Sequence, residues 1–207
     1  MDTARPGWLG PPVQTFGDET FNQACADLMR LVERDYAPSL VVGVRTGGLV
    51  VARAMVRAAS VGVPMLPLTC RRASTGTKDR VPLLRRVLAA LPQPLVDLLR
   101  RLEHRFLTTA RTQQVPPQQV DRAEAMAIAE HLAQAGMPAR ILVADDAVDS
   151  GVTLGTVLEL LREVCPAGTE IRTAAITQTL DHPVVRPDYV LLRGTLCRFP
   201  WSFDARQ

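Results

Sequence analysis

Short apolar, β-rich runs alternate with helical patterns along most of this chain, and that alternation constrains the fold more than any other feature. It favours a parallel sheet with covering helices. Residues 18 to 34 repeat apolar positions at Phe21, Cys25, Leu28 and Val32, as an amphipathic helix does, and SLVVGV (39 to 44) then reads as a buried strand. The next helix is LVVARAMVRAAS (49 to 60) and the next strand VPMLPLT (63 to 69). A helix at about 121 to 135, the strand RILVA (140 to 144), a helix from Thr153 to Val164, and strands near 170 to 177 and 189 to 192 continue the order. The expected architecture is an α/β open parallel sheet flanked by helices. With 47% apolar content in 207 residues the chain can bury one good core but is too short for two full domains, so residues 1–207 are expected to form one.

The segment from Cys70 to about Val120 interrupts the alternation and far exceeds the usual connection. It is expected to be a helical insertion, because VPLLRRVLAALPQPLVDLLRRLEHRFL divides at PQP into two helical patterns. Ten basic residues against three acidic ones give this segment +7 in a chain whose net charge is only +3. Four cysteines lie far apart, with no C-x-x-C pair and no His at ligand spacing, which argues against a zinc site and a disulfide framework. The start has no apolar core of signal-peptide length, and no later run approaches the roughly 20 apolar residues that span a bilayer. A soluble, cytoplasmic protein with no membrane partner is expected.

The stretch ILVADDAVDSGVTLGTV (141 to 157) places three carboxylates, Asp145, Asp146 and Asp149, after an apolar strand and before a Gly-containing turn and a helix. Crevices at the carboxyl ends of strands are where open α/β sheets bind ligands. The backbone N–H groups of Ser150, Gly151, Val152, Thr153 and Leu154, with the helix dipole behind them, suit a phosphate. Carboxylates beside a phosphate cradle make sense if they hold sugar hydroxyls and if a divalent cation offsets their repulsion. A phosphorylated ribose meets that description.

In order and spacing, ILVADDAVDSGVT resembles the phosphoribosyl diphosphate (PRPP) motif of the type I phosphoribosyltransferases. A second segment, VVGVRTGGLVVARA (41 to 54), resembles the pyrophosphate loop of that family, and the C-terminal IRTAAITQTLDHPVVRPDYVLLRGTLCRFPW resembles the last strands and base-binding hood of its 6-oxopurine branch. The resemblance covers roughly residues 35 to 70 and 120 to 201 and leaves the insertion outside it. It implies that a nitrogenous base displaces pyrophosphate from C1 of PRPP, or the reverse, while the protein positions the reactants and neutralises charge.

On that resemblance, Asp145 and Asp146 would hold the ribose hydroxyls and, through PRPP, Mg²⁺, while Ser150 to Leu154 would bind the 5-phosphate. Asp149 would be the catalytic residue beside the base, and Arg45, Thr46, Gly47 and Gly48 would face pyrophosphate. Purine enzymes of the family often carry Arg or Lys immediately before the Gly pair. Here that position is Thr46, with Arg45 one place earlier, so the compensating charge is expected from Arg45 or from the insertion, where Arg71, Arg72 and Lys78 are the nearest cations and form part of a lid. The purine-reading lysine would fall on Gln178, and an amide can donate or accept, so typical 6-oxopurines are expected to be poor substrates. Tyr189 and Val190 would line the base site. Tyr189, Phe199 and Trp201 could stack on a base or simply pack.

The expected ligands are thus PRPP, pyrophosphate, a nucleoside 5-monophosphate and a heterocyclic base, with Mg²⁺ as cofactor, acting on a homodimer. A second reading is a PRPP- or nucleotide-sensing regulator of the same fold whose basic insertion contacts nucleic acid or a protein. The hairpin lacks clustered aromatics, which weakens the case for nucleic acid. No G-x-G-x-x-G turn and no Gly-Lys-Ser/Thr occurs, which excludes a dinucleotide-binding domain and a P-loop.

Overall fold

The computed structural model describes residues 11–72, 118–135 and 139–202. Along the chain run β1 (Val13–Thr15), α1 (Asp18–Glu33), β2 (Leu40–Arg45), α2 (Gly47–Ala58), β3 (Met65–Arg72), β4 (Gln118–Val120), α3 (Arg122–Ala135), β5 (Arg140–Val148), α4 (Val152–Val164), β6 (Glu170–Gln178), β7 (Tyr189–Arg193) and β8 (Leu196–Arg198). Six strands form one sheet in the order β4-β3-β2-β5-β6-β7. All neighbours in it are parallel except β4, which pairs antiparallel with the end of β3.

Apolar β-branched runs make the central strands, and helices bury both faces of the sheet. In β2 every residue but Arg45 is buried. α1 turns Phe21, Ala24, Cys25, Leu28, Met29 and Val32 inward and, with α2, covers the face carrying Val41, Leu142 and Ala174. On the opposite face α3 and α4 pack Ile128, Leu132, Leu158 and Leu161 against Val42, Ile141 and Val143. Burial pushes the Cys25 thiol up to about 12. Among the described residues no helix is long and apolar enough to cross a membrane.

From β2 the chain winds outward to β3, and from β5 it winds the other way to β6 and β7. The reversal lies between β2 and β5, and such a switch point opens a crevice at the carboxyl ends of the two strands. Both motifs emerge there.

Several boundaries differ from the sequence reading. β5 runs on to Val148, so Asp145 and Asp146 belong to a strand paired with β6 rather than to a turn. Three short strands were not expected, since three residues carry too little alternation to register. β4 caps one sheet edge, while β1 and β8 pair in parallel as a separate two-stranded sheet. That small sheet is fixed to α1 by aromatic packing: Phe199 stacks between Phe16 (5.7 Å) and Trp201 (4.9 Å), and Phe21 meets Trp201 edge-on at 5.0 Å. The helical hairpin expected at 81–107, together with Lys78, lies outside the described residues.

Gly43 sets how closely α2 lies on β2. A methyl group there would sit 2.8 Å from Leu49 Cα and 2.9 Å from Ala52 Cβ. Gly43→Ala should therefore lift α2 and cost about 1–3 kcal/mol, as overpacking does. A lowered denaturation midpoint with unchanged slope checks this; an unchanged midpoint would mean that the helix yields freely.

Candidate active site

The two Gly-containing segments meet across the switch point. Thr46 precedes the first turn of α2, and its side chain makes no cap hydrogen bond. The Arg45–Thr46 peptide is cis. Gly47 and Gly48 then lie directly against the end of β5. A methyl at Gly47 would overlap the Asp146 carboxylate, and one at Gly48 would lie 2.5 Å from the Ala144 carbonyl oxygen and 2.8 Å from Asp145 Cα. The double glycine thus admits two carboxylates to the start of a helix.

Asp145 and Asp146 receive little from the protein in return. Asp145 Oδ1 accepts the N–H of Asp146 (2.9 Å), and Asp146 Oδ1 accepts that of Ala147 (3.0 Å). Among the described residues no Arg, Lys or His pairs with either. Part of each residue is exposed, yet the surrounding backbone displaces most of the nearby water. Burial pushes the Asp145 carboxyl well above the usual range, and the Asp146 charge pushes it further. Burial raises Asp146 as well, against the pull of the Asp145 and Ala147 hydrogen bonds. Carboxyls in this state await a cation or hydroxyl donors.

Ser150 and Gly151 lead into α4. Gly151 is its N-cap, with φ +76°, and among the described residues no side-chain hydrogen bond caps the helix. The first-turn N–H groups, including those of Val152, Thr153 and Leu154, have no intrahelical partner. They border a polar pocket of about 40 Å³ lined by Asp145, Asp149, Ser150, Gly151 and Thr153, among others. The segment after β6 closes over this turn: Val184 N–H donates to the Ser150 carbonyl (2.8 Å), and a side chain at Gly151 would overlap the Val185 backbone. Asp149 is not the N-cap residue, which is Gly151. Asp149 Oδ1 accepts the Thr179 hydroxyl at 2.6 Å, which ties the catalytic candidate to the end of β6.

On the other side of the crevice, Arg45 is register partner to Thr69. Glu124 joins the two, its Oε2 accepting the Thr69 N–H at 2.6 Å and its Oε1 lying 3.7 Å from Arg45 Nη2. Arg71 is exposed beyond that level on β3, opposite Gln119; the backbone of Arg72 ends the strand.

Three expected base contacts are placed otherwise. Gln178 is 3% exposed and both ends of its amide are engaged, Nε2 with the Leu180 carbonyl (2.7 Å) and Oε1 with Arg193 Nη1 (2.7 Å). Tyr189 and Val190 begin β7 at the level of Ala174 and Ala175, short of the carboxyl edge. The Tyr189 hydroxyl points away from that edge, to Asp35 (2.9 Å) and Arg172 (2.6 Å), whose guanidinium also lies 4.6 Å from the Tyr36 ring centroid. Strand register and side-chain direction, which periodicity does not reveal, account for the difference. Phe199 and Trp201 take the packing alternative, within the aromatic cluster. Glu124, Thr179 and Arg193 were missed. Only Glu124 had a signal: it stands three residues after Asp121, whose Oδ1 accepts the N–H groups of Ala123 and Glu124 in a helix-start pattern.

The family model for the phosphoribosyl transferase domain matches residues 16–204. No curated protein matches the chain. Among solved structures, the fold is similar to a purine phosphoribosyltransferase from Pyrococcus horikoshii (17% identity, 91% of this chain and 93% of that one, TM-score 0.56). It is similar also to the xanthine-guanine-hypoxanthine phosphoribosyltransferase of Helicobacter pylori (17%, 91% and 93%, TM-score 0.57). A protein from Neisseria gonorrhoeae solved with bound ppGpp shares the fold too (12%, 92% and 89%, TM-score 0.59).

The raised carboxyls make a test that needs no ligand. A carboxyl with a raised folded pKa keeps its proton longer folded than unfolded, so stability falls as pH climbs from the ordinary carboxylate range through the raised value. Asp145→Asn with Asp146→Asn should abolish that decline, leaving the variant with the higher Tm above the window and equal to wild type below it. Thermal melts across pH decide; a variant less stable than wild type at neutral pH would mean the acids are held by partners.

Proposed function

The chain belongs to the phosphoribosyl transferase domain family and is a phosphoribosyltransferase of the glycosyltransferase class, and from that premise we propose that it moves the 5-phosphoribosyl group between PRPP and a purine-like base with Mg²⁺. One observation supports this most: among the described residues, two helix N-termini without side-chain caps flank a pair of half-buried carboxylates that lack a cation. PRPP has a phosphate at each end of a dihydroxylated ribose, and the order of charges along the crevice suits it.

In this reading the Ser150 to Leu154 amides hold the 5-phosphate, and the α4 dipole favours its charge. Asp145 and Asp146 accept the ribose hydroxyls. Arg45, Thr46, Gly47 and Gly48 receive pyrophosphate, with Arg45 steadied by Glu124, and Arg71 stands beyond them. As the C1–oxygen bond breaks, its electron pair leaves with pyrophosphate, and the lone pair of the base nitrogen forms the new bond to C1. Asp149, oriented by Thr179, accepts the proton that the ring nitrogen gives up.

The donor set fits Mg²⁺. Among the described residues no group of three His, Cys, Asp or Glu could hold a metal alone, and Mg²⁺ is commonly bound by one or two carboxylates together with substrate oxygens. Asp145 and Asp146 would hold it with PRPP, and it would neutralise charge on the leaving group. A PRPP- or nucleotide-sensing regulator would use the same anion sites, but only the enzyme forms pyrophosphate with nucleotide.

Calorimetry should show Mg²⁺-dependent PRPP binding that Asp145→Asn with Asp146→Asn weakens on the order of 100-fold, at roughly 1.5 kcal/mol per charge-assisted hydrogen bond. Equal affinity for both proteins would remove the ribose assignment.

A further inference from the structure

Val148, Gln178 and Arg193 are register partners on three adjacent strands at the carboxyl edge. Just past Val148 stands Asp149, bound to Thr179, so the site continues from the acidic end of β5 toward Arg193 on β7. The Gln178 amide has a fixed sense. The Leu180 carbonyl can only accept, so Nε2 must face it, and Oε1 must face Arg193. Buried and engaged at both ends, this amide cannot turn to a ligand without losing two hydrogen bonds. Arg193 is the opposite case. Its side chain is exposed, and one N–H of its five donors is used among the described residues.

We propose that Arg193 is the residue that selects the base, with Gln178 as the residue that positions it. The proposal rests on the phosphoribosyl-transfer reading above. A guanidinium is donor-only and permanently charged, so it rewards a ring edge that presents acceptors and penalises one that presents an amine. A 6-oxopurine offers O6 and N7 as adjacent acceptors, the pair that arginine binds with two hydrogen bonds, whereas a 6-aminopurine replaces O6 by a donor. Strands β5 and β7 are two steps apart, about 10 Å at the usual spacing. An acceptor at Asp149 and a donor at Arg193 therefore bracket a space on the scale of a base with a hydrogen bond at each end. This reverses the expectation drawn from position 178 alone: the cation missing from β6 is supplied one strand over, and 6-oxopurines become the preferred class.

The test compares hypoxanthine with adenine as acceptors at saturating PRPP, and inosine with adenosine 5-monophosphate by calorimetry, for wild type, Arg193→Ala, Arg193→Lys and Gln178→Leu. Wild type should prefer hypoxanthine. Arg193→Ala should lower kcat/KM for hypoxanthine by about 10-fold or more, the range for losing a bidentate base contact, with adenine and the KM for PRPP unchanged. Arg193→Lys should recover part of the loss, and Gln178→Leu should narrow the hypoxanthine-to-adenine ratio without changing the KM for PRPP. A wild-type preference for adenine, an unchanged ratio in Arg193→Ala, or equal losses for both bases would overturn the proposal. If no base is converted, the transferase reading fails and the monophosphates decide: selective loss of inosine monophosphate binding in Arg193→Ala supports the assignment, and equal loss, no loss, or no binding by wild type overturns it.

Discussion

The site depends on how near the start of α2 comes to the ends of β2 and β5. Gly43 lets the helix lie on the sheet, and Gly47 and Gly48 let its first turn touch Asp145 and Asp146. Any side chain at these positions would meet backbone or carboxylate within the distance that real Cβ atoms keep. Because β2 and β5 adjoin at the point where the winding reverses, the same approach joins two motifs that lie about a hundred residues apart in sequence.

That approach is electrostatically expensive in the free protein. Two adjacent acids are drawn out of water, and burial together with mutual repulsion raises the Asp145 carboxyl. On the proposed reading, the arrangement becomes favourable when ribose hydroxyls and a cation reach the acids and phosphates reach the helix ends. On that reading, free-state instability and ligand affinity share one origin, as is common where binding groups are held preorganised.

The sheet and its helices were legible because buried parallel strands read as apolar runs and their covering helices repeat every three to four residues. SLVVGV and RILVA stand out for that reason, and the acidic stretch stands out because surplus carboxylates at a strand end have few structural uses, although alternation did not show that β5 carries Asp145 and Asp146. What escaped depended on direction. Tyr189 looked like a base contact from its place after RPD, but its hydroxyl points to Asp35 and Arg172. Gln178 stands where the resemblance puts the purine-reading residue, whereas its amide is closed between Leu180 and Arg193. Glu124 and Thr179 act on partners 55 and 30 residues away, a pairing that only the folded chain displays. β1 and β8 were too short to show alternation and are held by each other and by aromatic packing.

A crystal structure of the protein with PRPP and Mg²⁺ tests the central claim most directly. The account predicts the 5-phosphate on the amides of Ser150 to Leu154, pyrophosphate at the first turn of α2, and the ribose hydroxyls on Asp145 and Asp146. A ligand bound in the opposite sense, or phosphates lying away from both helix starts, would contradict it.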